Sequence, residues 1–174
     1  MDERLLMRHL GEALTGGLRE ADGNCDGTAD PSLVPPLVLA YVGDAVYEVF
    51  VRTRLALGGD ATVHKLHVAA TRYARSASQA GVVHSLRGIL TERESDIVRR
   101  GRNAHSGYVP KNANVAEYRY ATGFEALLGY LYLSGQLPRL LEILARAADQ
   151  VERVSPDAGG STAAEPTDEG RDLL

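Results

Sequence analysis

Two acidic residues interrupt apolar stretches of this 174-residue chain. Asp44 stands in the segment VGDAV, and Glu125 stands in the segment TGFEALLGY. A carboxylate removed from water is costly unless it is paired or binds a metal. Hard cations such as Mg²⁺ prefer carboxylate oxygens and keep several waters, and a bound metal can activate water to attack a phosphodiester. Together the two acids predict a divalent-metal site suited to phosphodiester hydrolysis.

Each acid also has a simpler structural interpretation. Asp44 could form an ion pair with Arg52 or Arg54, or it could lie on a partly exposed face of its helix. Glu125 could join two helices through an ion pair, with Thr122 three residues earlier on the same face. The local sequence leaves these alternatives open.

A basic segment without acidic residues covers residues 99–112, with the sequence RRGRNAHSGYVPKN. Arginines at the end of a helix are favoured by the helix dipole alone, but that does not explain a lysine further along the segment. Positive side chains and backbone amides in such a segment can contact a phosphate backbone. The segment therefore predicts nucleic-acid contacts through Arg99, Arg100, Arg102, Asn103 and Lys111.

Charge and composition divide the chain into three parts. The formal net charge is −4, which argues against a uniformly basic nucleic-acid binder. Residues 1–32, a polar and partly flexible extension, carry −4, residues 33–154 carry +4, and residues 155–174 carry −4. The last part has almost no apolar residues and is predicted to be a disordered acidic tail. The middle part, residues 33–154, is the predicted folded domain.

The single cysteine, Cys25, excludes an intrachain disulfide and a cysteine-based zinc site. No apolar run reaches the ~18 residues of a membrane span, and charges interrupt the N-terminal segment where a secretory signal would be apolar. A cytoplasmic protein without a membrane partner is expected.

Helical periodicity and capping residues predict an all-α fold. A capping box is expected at Thr91 and Glu94, and a similar helix start at Asn114. No alternating strand pattern is present. Helices are predicted over residues 36–57, 61–87 (two short helices broken near 71–76), 91–102, 114–134 and 138–154.

Three motifs in order resemble the ribonuclease III family. The segment LAYVGDAVYE at 39–48 is similar to the signature helix of its catalytic domain, and FEALLG at 124–129 is similar to its second acidic helix. RGRNA at 100–104 with VPKN at 109–112 resembles the mini-ribonuclease III branch, a catalytic domain without a double-stranded-RNA-binding domain. The resemblance covers roughly residues 35–148, and the 20 residues after position 154 are expected to be too few for such an appended domain.

The resemblance implies a homodimeric, Mg²⁺-dependent endonuclease for double-stranded RNA, with Mn²⁺ as a substitute metal. Asp44 and Glu125 would be the catalytic and metal-binding residues, and the basic segment would bind RNA. The mini branch further implies maturation of both ends of the 23S ribosomal RNA precursor in the bacterial cytoplasm. A ribosomal protein on that RNA is a further candidate partner.

Two family acids are absent from this chain. Ala40 and Thr122 stand where larger ribonuclease III enzymes have a glutamate and an aspartate. The mini branch resembles this reduced set, so phosphate oxygens of the RNA would complete the metal shell. The losses keep open a catalytically silent dimer that binds structured RNA. A helical metal hydrolase that acts on nucleotides is a third alternative.

Overall fold

A computed structural model describes residues 30–59, 62–105 and 114–154 of the chain. Most of the predicted N-terminal extension, the predicted acidic tail and the second half of the basic segment lie outside these ranges. The domain limits at residues 32 and 154 therefore stay predictions.

Six α-helices and no strand make up the regular structure of the described ranges, apart from one turn of 3-10 helix at Pro31–Leu33. This confirms the predicted all-α fold. The helices are α1 (Pro36–Leu57), α2 (Val63–Ala74), α3 (Ser76–Leu86), α4 (Glu92–Asn103), α5 (Val115–Leu133) and α6 (Leu137–Val154).

Local signals in the sequence set several helix ends. Thr91 and Glu94 form the predicted capping box at the start of α4. The Asn114 side chain accepts hydrogen bonds from the first turn of α5. Gly135, with φ of 65°, follows the end of α5 in a left-handed conformation that a glycine adopts at little cost. The predicted break in 61–87 lies at Arg75, between α2 and α3.

Helix α5 lies at the centre of the bundle and packs against α1, α3, α4 and α6. Its residues from Ala121 to Leu131 are buried, apart from the half-buried Glu125. Phe124 meets Tyr47 of α1 edge to face, with the ring centroids 5.2 Å apart, an arrangement that aromatic quadrupoles favour. An acid on this helix is therefore held on a rigid, densely packed element.

A buried ion pair joins α4 to α6. Arg139 donates two hydrogen bonds to the carboxylate of Glu94, at 2.8 and 2.9 Å, and a third at 2.7 Å to the carbonyl oxygen of Ile89. The guanidinium holds the pKa of Glu94 below its usual range. Because removal of one partner would strand the other charge, this pair fixes α4 to the bundle.

Candidate active site

Asp44 lies on the exposed face of α1. The ion pairs considered for it do not form, because Arg52 pairs with Glu48 at 3.0 Å and Arg54 pairs with Glu152 at 3.0 Å. Partial burial, followed by the negative charge of Glu48 one turn later, raises the pKa of Asp44. Asp44 is therefore a carboxylate without a described cationic partner, and the neighbouring Glu48 adds a second negative charge.

Glu125 projects from α5 toward the same place. Burial, followed by the negative charge of Asp44, raises the pKa of Glu125 to about 8. A hydrogen bond from the Gln79 side chain of α3 opposes this shift. The structure thus brings together the two acids that the sequence separates by 81 positions, with the buried Glu125 within reach of the negative charge of Asp44.

Two glycines allow the acid-bearing helices to approach closely. A Cβ atom at Gly43 of α1 would lie 1.8 Å from the carbonyl oxygen of Glu125, and one at Gly129 of α5 would lie 2.0 Å from that of Leu39. Both distances are far below any van der Waals contact, so no larger residue fits without separating the helices. The motifs around Asp44 and Glu125 therefore encode the helix crossing as well as the acids.

The positions of the two absent family acids are buried. Ala40 is 6% exposed and offers no ligand atom. The hydroxyl of Thr122 donates to the carbonyl oxygen of Tyr118 at 3.1 Å, one turn earlier on α5. Within the described ranges, no group of three or more histidine, cysteine or acidic residues forms a metal site. The acidic centre consists of the Asp44–Glu125 pair.

Gln79 is a site residue that sequence reasoning missed. Its side chain is 2% exposed and donates to Glu125, while its Oε1 atom has no hydrogen-bond partner among the described residues. A small cavity of about 80 Å³ between α1, α2 and α3 is lined by Asp44, Gln79 and the unpaired hydroxyl of Tyr47. The available signal was a glutamine in register with the apolar stripe of α3, at positions 79, 82, 83 and 86.

The donor set fits a hard divalent cation. Burial and the charge of Asp44 raise the proton affinity of Glu125, and burial and the charge of Glu48 raise that of Asp44; a double positive charge would relieve both carboxylates. Magnesium is bound in proteins by one or two carboxylates, with water and phosphate oxygens in the remaining positions. Asp44 and Glu125 supply such a set, and the exposure of Asp44 leaves one side open to a substrate phosphate.

The predicted RNA-binding residues have different surroundings. Arg99 is exposed and pairs with Asp96 one turn earlier. Arg100 is half-buried and donates to the carbonyl oxygen of Ser32, which ties the entry of α1 to α4. Its guanidinium therefore has a structural partner.

Arg102 and Asn103 lie at the end of α4. Arg102 donates to the hydroxyl of Tyr120 at 3.4 Å and to the side chain of Asn103 at 3.3 Å. Asn103 is exposed. Lys111 lies outside the described residues, so its role stays a prediction.

Comparison with known proteins places this arrangement in a family. The family model of the ribonuclease III domain matches residues 37–136. A mini-ribonuclease 3 of Symbiobacterium thermophilum is 55% identical over 125 residues, covering 72% of this chain and 96% of the relative. A mini-ribonuclease 3 of Brevibacillus brevis is 50% identical over 125 residues, covering 72% and 93%. The chain belongs to the ribonuclease III family.

Membership makes the chain an endoribonuclease that hydrolyses phosphodiester bonds in double-stranded RNA. Ribonuclease III domains bind duplex RNA, typically as dimers, and generally use a divalent metal. The predicted resemblance to the mini branch is confirmed.

A crystal structure of a protein from Fusobacterium nucleatum supports the fold. It superposes with a TM-score of 0.61 at 24% identity, covering 67% of this chain and 93% of that one. No helix of the described residues is long and apolar enough to cross a membrane.

Proposed function

We propose that the chain is a Mg²⁺-dependent endoribonuclease in which Asp44 and Glu125 hold the metal beside the scissile phosphate. The observation that carries this proposal is the facing pair of carboxylates with raised pKa values on two closely crossed helices. The pair has no described cationic partner, although other acids of the bundle pair with arginines. A centre of this kind is suited to a cation rather than to structural pairing.

The chain's own residues bind and orient in this reaction. Asp44 and Glu125 lose their protons and supply the anionic oxygens. Gln79 fixes the Glu125 carboxylate by its hydrogen bond. A bound Mg²⁺ supplies Lewis-acid charge that polarises the phosphate and activates water. Mn²⁺ has the same preference for oxygen ligands and is the expected substitute.

A homodimer is the proposed assembly, with one cut per subunit in a shared duplex. Exposed apolar residues on α1 and just before it support this assembly: Leu33, in the 3-10 turn before α1, is 78% exposed, and Tyr41 is 81% exposed on the same stripe of α1 as Asp44. An exposed apolar patch of this kind is typical of a protein interface. Contact between the patches of two subunits would bring the acidic centre of each subunit near the dimer interface.

The 23S ribosomal RNA precursor is the proposed substrate, matured at both ends in the cytoplasm, with a ribosomal protein as a candidate partner on the RNA. Similarity to proteins named mini-ribonuclease 3 supports this assignment. Because A-form duplexes are recognised mainly by shape, the cleavage site on the precursor must be mapped directly.

Cleavage by Asp44→Asn tests the metal-binding role. The variant keeps the shape of the side chain but removes its charge, so we expect duplex cleavage in Mg²⁺ to fall by more than about 100-fold. Affinity for duplex RNA in metal-free buffer is expected to stay within about 3-fold, because phosphate contacts dominate it. Glu48→Gln is the matched control, since Glu48 lies one turn later on the same face and pairs with Arg52. Full cleavage by Asp44→Asn would overturn the assignment.

The second candidate function is RNA binding without cleavage. Ala40 and Thr122 favour it, since neither can replace a carboxylate ligand. Metal-independent binding of duplex RNA with no products at high protein concentration would establish it. Release of mononucleotides instead of internal fragments would indicate the third alternative, a nucleotide hydrolase.

A further inference from the structure

Four side chains from three helices meet on the surface around Tyr120. His84 and Arg87 come from the end of α3, Arg102 comes from α4, and Tyr120 comes from α5. Arg87 donates to the Tyr120 hydroxyl at 3.1 Å, and Arg102 donates to the same oxygen at 3.4 Å. The His84 ring lies 4.7 Å from the Tyr120 ring. We refer to these four residues as the Tyr120 cluster.

The two guanidiniums of the cluster differ from the arginines of the bundle that form ion pairs. Six arginines in the described ranges form ion pairs with carboxylates: Arg52, Arg54, Arg93, Arg99, Arg139 and Arg146. Arg87 and Arg102 instead converge on a neutral hydroxyl, and no described carboxylate lies within 4.0 Å of either. The cluster therefore concentrates positive charge that the described part of the protein does not neutralise.

Tyr120 holds the two cations in place. Their central carbon atoms lie 5.9 Å and 5.5 Å from its ring centroid, within the range of cation–π attraction. Arg102, with a smaller contribution from Arg87, lowers the pKa of the Tyr120 hydroxyl. Two guanidiniums held side by side present several N–H donors in fixed directions, which suits the oxygens of a phosphate.

The cluster lies beside the acidic pair along the same helices. Gln79 of α3 contacts Glu125 of α5, whereas Arg87, the residue that follows α3, contacts Tyr120 of α5. The two helices are therefore antiparallel here. Five residues of helix separate Tyr120 from Glu125 and eight separate Gln79 from Arg87, or about 7.5 Å and 12 Å along the axes at ~1.5 Å per residue. This spacing corresponds to roughly two to four nucleotides of one strand, taking ~3.4 Å per nucleotide as in duplex DNA.

We propose that Arg87, Arg102 and Tyr120, with His84 at the edge, bind a backbone phosphate of the RNA roughly two to four nucleotides from the phosphate that is cleaved. The inference rests on the proposed function and assigns it a substrate contact. Of these residues, only Arg102 belongs to the basic segment identified in the sequence. Arg87 lies 12 positions before Arg99 and joins the surface through tertiary structure alone.

Arg87→Gln tests the phosphate contact by equilibrium binding of duplex RNA in metal-free buffer, where no cleavage occurs. We expect affinity at moderate salt to fall by about 3- to 10-fold. The slope of log K against log salt should become shallower by roughly one, as for loss of one phosphate contact. Arg146→Gln is the matched control, because Arg146 is exposed but already paired with Glu142. It should keep the wild-type slope.

Tyr120→Phe separates a binding role from a structural one. It retains the ring beneath the guanidiniums but removes the oxygen to which both donate. We expect a smaller loss of affinity, about 2- to 3-fold, with a melting temperature close to that of wild type. If Arg87→Gln and Tyr120→Phe lower the melting temperature but leave the salt slope unchanged, the cluster only joins the helices and the inference is wrong.

Competition with inorganic phosphate distinguishes a site for an RNA phosphate from a site for a free anion. At matched ionic strength we expect phosphate to displace RNA no better than chloride, since one isolated ion lacks the other contacts of a strand. Stronger displacement by phosphate would assign the cluster to a free anion and overturn the RNA contact. Failure of the wild-type chain to bind duplex RNA would overturn the proposed function itself. Normal wild-type binding with an unchanged slope for Arg87→Gln would overturn only the cluster.

Discussion

The residue with the most unusual environment is Glu125. In the folded chain its pKa is raised to about 8 by burial and by Asp44, compared with 4.5 for an ordinary glutamate. Between about pH 4.5 and 8 the folded state therefore retains a proton on Glu125 that the unfolded chain has already lost. A raised carboxyl pKa stabilises the fold fully below about pH 4.5, and this stabilisation is lost as the pH rises toward 8. The acidic pair therefore contributes progressively less stability as the pH rises through neutrality.

Glu125→Gln makes this loss measurable. In metal-free buffer the variant should match wild type near pH 5 and melt several degrees higher at pH 8 to 9, because the amide carries no charge to bury. Thermal unfolding followed by circular dichroism across this range provides the measurement. Asp44→Asn should partly reduce the fall in melting temperature with rising pH, since it removes the charge that repels Glu125. Parallel pH profiles for wild type and Glu125→Gln would contradict the raised pKa.

At the scale of elements, the crossing of α1 and α5 determines whether the two acids can share a metal. The crossing depends on the absence of a side chain at Gly43, where a Cβ would meet the backbone of Glu125 rather than a flexible side chain. Backbone cannot move aside without displacing the whole helix. A side chain at Gly43 would therefore disturb both the placement of the two acids and the packing of the bundle.

Gly43→Ala should separate the helices and impair both properties. We expect a loss of about 1–3 kcal/mol in the free energy of unfolding, as for overpacking, and a fall in cleavage of about 100-fold from misplaced carboxylates. Denaturant unfolding and duplex cleavage assays measure the two effects.

Gly81→Ala is the control for this substitution. Gly81 lies inside α3, and a Cβ atom added to it would have no neighbouring atom within 4 Å. The change should increase stability by roughly 0.5–1 kcal/mol through helix propensity and leave cleavage intact. Equal effects of the two alanine substitutions would refute the role of the close crossing.

The whole molecule presents an apolar patch and a divided charge distribution. The charge of −4 is the sum of acidic ends and a central region of +4, so RNA is expected to contact local cationic groups rather than a broad basic face. The exposed stripe of α1 carries Tyr41 and Asp44 one turn apart. A second copy that covers Tyr41 would therefore lie close to the acidic centre.

Tyr41→Asp should convert a dimer into a monomer, because it places a charge at the centre of the proposed interface. Size-exclusion chromatography with light scattering is the measurement. Val63→Asp is the control, since Val63 is 83% exposed, comparable to Tyr41, but lies on α2. A dimer that survives Tyr41→Asp, or dissociates equally with Val63→Asp, would exclude the stripe of α1 as the interface.

The sequence by itself determined the helices and identified the two acids of the candidate site. The capping box at Thr91, the asparagine cap at Asn114 and the turn at Gly135 act within a few residues, so their consequences can be derived without knowing the fold. Asp44 and Glu125 could be identified because a charge in an apolar helix contradicts its surroundings.

Only the tertiary structure decided what meets at the site. Gln79 contacts Glu125 and Arg87 contacts Tyr120 across helices, and no local pattern relates positions so far apart in the chain. Arg100 and Arg102 belong to the same basic segment, but only the structure shows that the Arg100 guanidinium donates to the carbonyl oxygen of Ser32. Helix periodicity specifies which face is apolar, but the direction and closeness of each crossing follow from packing of the whole bundle.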